Sequence, residues 1–487
     1  MIRTLVSHSL VYGLTYVAAR GTLVVSLLVL PAILAPAEYG ALAMLTLVGN
    51  LVAVVVPLQV AQGLARHQGA AASQQERDLY AGSAWWFTLV AQIVFLGLGE
   101  AFAGWGTAQV LGDPAYLPVF RIALLVMVLN SLFFFLQSQF RWTFRPGDFV
   151  IVSLLYSLLT LGLSIGLALV WPDPLRGVVI GQAIGGAVAV AWGAWRLRAR
   201  LAAPIDRRRL AEMLRFAAPL VPAVLSLSLV VYAARIVLND VDTLANVGVF
   251  AFASQIASIA TLAVVGVQAA MTPLITIHHQ EPGTPAALGR VFQAFCAAAT
   301  ILCLLLGLFA AEAIAWLGDP DYARAAPLVL LLAPAMLLGE MYVFAPGFWI
   351  AKRTGLQAGL CLAAAGFAFA AGYVLIRAFG LPGAAVATLA SAALFFTLWW
   401  LVSGRFYPVP VRWAPLAFYV IGAGAAGAAA LQLTVPGTLG GIAVKAGILV
   451  LATALALASG LVPWREGMVA AVSLVKRKPP LSAGPSS

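Results

Sequence analysis

Leu111-Gly112-Asp113-Pro114-Ala115-Tyr116 returns as Leu317-Gly318-Asp319-Pro320-Asp321-Tyr322, 206 residues later. Three further pairs keep nearly the same register. Leu175-Arg176-Gly177 matches Leu381-Pro382-Gly383 at 206, Arg145-Pro146-Gly147 matches Arg353-Thr354-Gly355 at 208, and Gly40-Ala41-Leu42-Ala43 matches Gly248-Val249-Phe250-Ala251 at 208. Such agreement marks a duplicated unit of about 200 residues. Within each hexapeptide, Pro fixes its own φ and pushes the preceding residue out of the helical region, and Asp is placed to cap the next helix. The motif reads as an inherited turn, and its spacing tells more than its chemistry.

The sequence around these echoes is 63% hydrophobic and 9% charged, with a mean hydropathy of +1.00. A soluble chain of this length needs a largely polar surface, which so few polar residues cannot supply. The chain is therefore a polytopic, all-helical membrane protein. Its formal charge of +11 sits in short gaps between apolar runs, which reads as loop charge flanking membrane helices and excludes nucleic acid as a partner. Cys296, Cys303 and Cys361 lie inside apolar runs and read as core residues, with no disulfide framework or metal site. The first apolar stretch is long and contains Arg20, unlike a cleaved signal.

Runs of about 20 apolar residues suffice to cross a bilayer. Fourteen are present, near 10–33, 41–62, 81–102, 118–140, 149–170, 177–197, 214–238, 245–275, 289–312, 325–350, 356–378, 382–402, 414–433 and 439–460. With the N-terminus in the cytoplasm, 21 of the 28 Lys and Arg fall in cytoplasmic segments, which fixes the orientation and puts both termini inside. Six spans per repeat is an even number, so both copies insert the same way up, as a parallel repeat. The expected division is an N-lobe of helices 1–6 (1–203), a C-lobe of helices 7–12 (204–405), helices 13–14 (406–462) and a basic, disordered tail (463–487). The Arg-rich stretch Arg196–Arg215 links the lobes.

Several stretches resemble the polysaccharide and O-antigen flippases of the MOP superfamily. These are Pro36-Ala37-Glu38-Tyr39-Gly40, Phe140-Arg141-Trp142 with Arg145-Pro146, Arg207 through Leu214-Arg215-Phe216-Ala217-Ala218-Pro219-Leu220-Val221-Pro222, Asn246-Val247-Gly248-Val249-Phe250 and Leu381-Pro382-Gly383-Ala384-Ala385. The resemblance implies a transporter in the cell (inner or plasma) membrane. It would move an undecaprenyl-pyrophosphate-linked oligosaccharide from the inner to the outer leaflet for polysaccharide biosynthesis. Its partners would be that lipid-linked oligosaccharide, membrane lipids, a polysaccharide polymerase and export machinery, and H+ or Na+ as coupling ion. Two alternatives stand beside it: a multidrug or cation antiporter of the same superfamily, and a membrane polymerase or glycosyltransferase. An early Gly-Phe-x-Arg-Asp pattern of the lipid II flippases is missing, which disfavours a peptidoglycan precursor.

Intramembrane charge costs roughly 2.5–3.5 kcal/mol per residue at a helix centre and so needs a reason. Arg20 in span 1 and Arg235 in span 7 are candidates for holding a pyrophosphate, because a guanidinium binds phosphate oxygens bidentately. Lys445, early in span 14, is a third cation, one that can snorkel to the outer face. Gln59, Gln62, Asn130 and Gln268 are candidates for meeting sugar hydroxyls, and Asn50, Gln137, Gln139, Gln182 and Gln255 share that chemistry, which also glues helices together. Glu340 in span 10 is the candidate ion-coupling carboxylate. Pro57, Pro219, Pro222, Pro334 and Pro346 fall within spans and are candidate bending points. Asp240-Val241-Asp242 reads as a turn or cap, and His278-His279 have no metal-ligand companions. No phosphate-binding loop is present, so the expectation is a non-enzyme with neither cofactor nor metal.

Overall fold

A computed structural model of the chain describes Thr22 and residues 25–317 and 320–461. Among these residues all regular structure is helical. In chain order the helices are α1 (Pro36–Val55), α2 (Val60–Ala70), α3 (Gln74–Ala101), α4 (Ala103–Leu111), α5 (Leu117–Trp142), α6 (Pro146–Val170), α7 (Pro174–Leu201), α8 (Arg207–Ala217), α9 (Leu220–Val241) and α10 (Leu244–Ser258). They continue as α11 (Thr261–His278), α12 (Thr284–Leu308), α13 (Ala310–Leu317), α14 (Ala326–Glu340), α15 (Gly347–Ile350), α16 (Thr354–Phe379), α17 (Leu381–Gly404), α18 (Trp413–Leu433) and α19 (Leu439–Ala458).

Twelve helical segments are long and apolar enough to cross a membrane, and a thirteenth forms if the bent pair Leu244–Ser258 and Thr261–Gln268 is one span. Each matches one of the expected spans from 41–62 onward; the first, 10–33, lies mostly outside the described residues, as do Arg20 and the tail. The chain is a multi-pass membrane protein. Its helices start where local chemistry dictates. Pro stands in the first turn of α1, α5, α6 and α7, where a missing N–H costs nothing. Ser73, Asp173, Asp206 and Thr438 accept N-terminal amide hydrogens of α3, α7, α8 and α19. In the first hexapeptide, Asp113 accepts the Ala115 amide at 2.8 Å, which is the turn its composition predicts. Of the prolines expected inside spans, Pro57, Pro219 and Pro346 instead lie at helix boundaries: Pro219 and Pro346 precede α9 and α15, α1 ends before Pro57, and Leu58 and Gln59 then adopt positive φ before α2.

The residues group into two compact units. The first comprises Met1–Ile256, Ala313–Leu328 and Thr354–Phe395; the second comprises Ala257–Glu312, Val329–Arg353 and Phe396–Ser487. This grouping cuts the chain differently from the expected 1–203, 204–405 and 406–462, because α9 packs along α16 and against α1 and so joins the first helices.

In the first unit, helices approach through small residues. Gly177, Gly181 and Gly185, four apart on α7, face the α6 backbone at Leu167, Leu163–Ser164 and Leu159–Thr160, where an added Cβ would lie 2.4–2.6 Å from the nearest atom. A Cβ added to Gly383, the repeat partner of Gly177, would lie 2.0 Å from the Leu375 carbonyl oxygen. Ala387 and Ser391, buried, occupy the positions equivalent to Gly181 and Gly185. Close backbone approach of this kind drives helix association where lipid removes the hydrophobic incentive.

The two copies of the repeat also touch each other. A Cβ on Gly40 would lie 2.0 Å from the Leu244 carbonyl, and one on Gly248 would lie 1.8 Å from the Pro36 carbonyl. Both pairs are related by the 208-residue offset, so the contact is reciprocal, as at a two-fold interface. Tyr322, from the second hexapeptide, is buried beside it; its hydroxyl donates to the Leu34 carbonyl at 2.9 Å, and its ring packs edge-on against Tyr39 and Phe252.

The Arg-rich linker is an ion-pair network on the first unit. Asp206 caps α8 and pairs with the Arg209 guanidinium; the hydrogen bond from the Arg209 amide, foremost, holds its carboxyl below the ordinary range. Arg200 pairs with Asp78 at 2.8 Å, and the Tyr80 hydroxyl donates to Glu212 at 2.8 Å. Met213 and Ala217 bury one side of α8, while Arg207, Arg208 and Arg215 are exposed on the other.

In the second unit, α18 and α19 pack on α12 around Leu304, Leu308, Ala430 and Ala452. Gly427 on α18 admits Leu304 and Leu330. Lys445 of α19 is 1% exposed and its ammonium sits 2.6 Å from a Glu312 carboxylate oxygen on α13. Breaking such a pair leaves an uncompensated charge. Lys445→Met is expected to destabilise the protein by about 3 kcal/mol, and Lys445→Met with Glu312→Gln to recover most of it, measured by thermal unfolding in detergent. Equal melting points for the single and double variants would refute this.

Candidate functional site

The first unit contains a cavity of about 260 Å³ among α1, α5, α6 and α7. Its polar lining comes from Thr46 and Asn50 on α1, Asn130 on α5, Tyr156, Ser157, Thr160 and Ser164 on α6, and Gln182 on α7, with Thr22 and Ser26 preceding α1. Tyr156, Thr160 and Ser164 fall four residues apart, so one face of an otherwise apolar helix carries a stripe of hydroxyls. Among the described residues no Asp, Glu, Lys, Arg or His lines the cavity.

The polar groups are held in place. The Tyr156 hydroxyl donates to Asn130 Oδ1 at 2.9 Å, and the Tyr156 ring stacks on Phe133 with centroids 3.8 Å apart. The Asn50 amide donates to the Tyr232 hydroxyl at 2.9 Å, which connects the cavity wall to α9. One turn further along α9 stands Arg235. It is half-buried, its Nε is shielded from solvent and makes no hydrogen bond, and no carboxylate among the described residues pairs with it. Its guanidinium carbon lies 6.0 Å from the Tyr232 ring centroid. A shielded cation on a membrane-spanning helix with no partner is costly, and it is the arrangement expected where an anion binds transiently.

The sequence-predicted residues are thus divided. Asn130 lines the cavity with Asn50 and Gln182, and Arg235 stands one helical turn from Tyr232, the residue that Asn50 of the cavity wall bonds. Gln59 and Gln62 lie at the break between α1 and α2, Gln62 exposed. In the second unit, Gln268 donates to the Glu340 backbone carbonyl at 3.1 Å, which brings the candidate ion-coupling residue beside a candidate sugar ligand. Lys445 is held by Glu312, a carboxylate that sequence reasoning passed over because it stands at the end of a span. Tyr156 and Tyr232 are absent from the sequence-predicted residues; the Tyr156-Thr160-Ser164 spacing is the available signal for Tyr156. Asp242 accepts from Thr243 and Asn246, the capping role expected of it, and Asp240 accepts from Tyr373. Among the described residues no group of three or more His, Cys, Asp or Glu is placed to hold a metal ion.

No curated protein matches the chain. Solved structures do. A lipid II flippase, MurJ, in an inward closed conformation is 10% identical with a TM-score of 0.72, over 95% of this chain and 100% of that one. An inward-facing multidrug resistance MATE transporter of the MOP superfamily is 14% identical with a TM-score of 0.63, over 79% of this chain and 94% of that one. A MOP superfamily transporter from Pyrococcus furiosus, described as having a binding pocket of reverse polarity, is 12% identical with a TM-score of 0.56, over 83% and 94%. At these identities the likeness establishes the fold, which is that of MOP superfamily transporters. The sequence profile of the family described as "Polysaccharide biosynthesis protein" matches residues 29–327, more than half of the 487, and the chain belongs to that family.

Proposed function

We propose that the protein flips a polyprenyl-pyrophosphate-linked oligosaccharide from the cytoplasmic to the outer leaflet, by alternating access, in the biosynthesis of an O-antigen, capsule or exopolysaccharide. The observation that carries this reading is Arg235, a membrane-buried cation with no carboxylate partner among the described residues, one turn from the tyrosine bonded to the wall of a cavity whose polar lining is uncharged among the described residues. A pyrophosphate supplies the missing countercharge, and hydroxyls and amides suit a glycan. An organic cation would want a carboxylate, and none lines the cavity among the described residues.

In this reading Arg235 and Arg20 hold the pyrophosphate, polar side chains meet the glycan and the polyprenyl tail stays in lipid. The repeats act as two lobes, 1–203 and 204–405, rocking against one another, with both termini in the cytoplasm of a cell inner or plasma membrane. A cytoplasm negative inside drives an anionic headgroup outward by roughly 2.3 kcal/mol per charge per 100 mV. Glu340, beside Gln268, is the proposed H+ or Na+ site. A polymerase and export machinery would receive the product.

The direct test is reconstitution in proteoliposomes with a fluorescent lipid-linked oligosaccharide, scored by its accessibility to an external glycosidase. Protein-dependent transfer is the expected result. Transfer of drugs or organic cations without transfer of the glycolipid would overturn the reading.

A further inference from the structure

The ends of α5, α6 and α7 carry an ion cluster that the transport reading leaves unused. Asp148 stands in the first turn of α6, where a carboxylate complements the unpaired amides of a helix start. It is buried and receives two guanidiniums. Arg145, just before α6, places Nε 2.8 Å from Asp148 Oδ2; Arg196, near the end of α7, places Nη2 3.0 Å from Oδ1 and donates from Nε at 3.0 Å. One positive charge is left over, and so are donors. Among the described residues Arg145 Nη2 and Arg196 Nη1 have no partner, and the two side chains are 35% and 38% exposed. Arg141 and Arg198, exposed nearby, pair with no carboxylate among the described residues, so four guanidiniums share Asp148.

Aromatic rings stand among these cations. Trp195 is exposed between Arg196 and Arg198, whose guanidinium carbons lie 5.9 and 5.1 Å from a ring centroid of the indole. Trp142 is exposed, with the Arg141 guanidinium carbon 5.7 Å from its ring centroid. Phe144 is 65% exposed at φ 53°, a left-handed conformation that a bulky residue rarely adopts. The turn itself is inherited. Lys352, 208 residues later, has φ 56°, and the Lys352 and Arg353 amides donate to Trp349 and Phe348 as the Phe144 and Arg145 amides donate to Arg141 and Phe140. The ion cluster is not inherited: Leu356 and Gly404 stand at the positions of Asp148 and Arg196. The turn therefore forms without the cluster, which has a use of its own.

We propose that this patch binds the phosphate of an anionic phospholipid in the leaflet surrounding these helix ends, Arg145 and Arg196 donating to the phosphate oxygens and Trp142, Phe144 and Trp195 lying in the headgroup layer. A guanidinium fork fits phosphate oxygens. Exposed aromatics beside cations at the ends of membrane helices fit the boundary between hydrocarbon and water, which a soluble acidic partner does not offer. The surplus of cations selects a headgroup with net negative charge. In the orientation proposed above this is the cytoplasmic leaflet; the binding itself is independent of what is transported.

The test uses the purified full chain in dodecyl maltoside, titrated with dioleoyl phosphatidylglycerol or dioleoyl phosphatidylcholine and read by native mass spectrometry. The wild type is expected to bind the glycerol lipid at least tenfold more tightly. Removing Arg145 and Arg196 alone would strand Asp148, so the variant is Arg145→Gln with Asp148→Asn and Arg196→Gln, expected to abolish the preference. If that variant does not elute and melt as the wild type does, Arg141→Gln with Arg198→Gln decides, since neither side chain pairs with a carboxylate; the preference should then fall at least threefold. Arg121→Gln, an exposed arginine near the other end of α5, should leave it unchanged. Equal binding of the two lipids by the wild type overturns the proposal, as does an unchanged preference in the deciding variant. An equal fall in Arg121→Gln would reduce the effect to overall charge, and complete displacement of the lipid by millimolar inorganic phosphate would make this a site for a soluble anion; either result also overturns it.

Discussion

Arg235→Gln is expected to lower the initial rate of lipid-linked oligosaccharide transfer roughly a hundredfold while leaving thermal stability unchanged or raised. The two halves of this result follow from the same fact. The guanidinium has no carboxylate among the described residues and its Nε makes no hydrogen bond, so folding desolvates a cation without compensation. A neutral amide of similar reach relieves that cost. If the uncompensated charge exists to receive a pyrophosphate, its loss removes a charge-assisted contact worth about 3 kcal/mol, or roughly a hundredfold in rate. Arg235→Lys should fall between the two, because an ammonium keeps the charge and loses the bidentate fork. Proteoliposome rates and melting curves on the same preparations decide the matter. A glutamine variant that transports at the wild-type rate, normally inserted, removes Arg235 from the mechanism. A variant that loses both rate and stability would make Arg235 a structural residue.

The second large effect is expected at the glycines where the two repeats meet. A Cβ at Gly248 or Gly40 lands 1.8 or 2.0 Å from a backbone carbonyl of the other helix, and backbone cannot swing aside as a flexible side chain does. Gly248→Val should therefore disfavour the state described here by about 3 kcal/mol, more than a hundredfold in population. The ends of α1 and α10 should part toward the roughly 8–10 Å interaxial spacing of helices that carry side chains. Spin labels at Ala35 and Thr243, both exposed beside these ends, would report the separation. Transport should decline in the order Gly, Ala, Val at either position. Because the contact is reciprocal, Gly40→Val and Gly248→Val should behave alike; unequal distances or rates would show that the repeat symmetry does not govern this contact.

Legibility from sequence differed between the bundle and its site for a physical reason. Spans are local: about 20 apolar residues announce themselves whatever they pack against, and Pro and Asp mark helix starts within a turn. The ends of α3, α7 and α8 and the turn at Asp113 were readable in this way. Side-chain partnerships are not local. Lys445 and Glu312 are 133 residues apart, and nothing near Lys445 distinguishes a lysine reaching for the membrane surface from one held by a carboxylate. Asn50 and Tyr232 are 182 apart, and Asn130 shares a cavity with Gln182 only because α5 packs against α7.

Composition and spacing by themselves determined that the chain is an all-helical, multi-pass membrane protein with an internal repeat of about 200 residues, because hydropathy and duplication are properties of a one-dimensional pattern. Only the tertiary structure decided which polar groups are spent on each other and which remain for a ligand. Among the described residues Lys445 is neutralised by Glu312, whereas Arg235, one turn from the tyrosine that Asn50 of the cavity wall bonds, has no carboxylate partner. The repeated hexapeptide shows both sides. Its Asp113 makes the turn its sequence announces, while the burial of Tyr322 against Leu34, Tyr39 and Phe252 depends on residues some 70 to 290 positions away that only folding brings within reach.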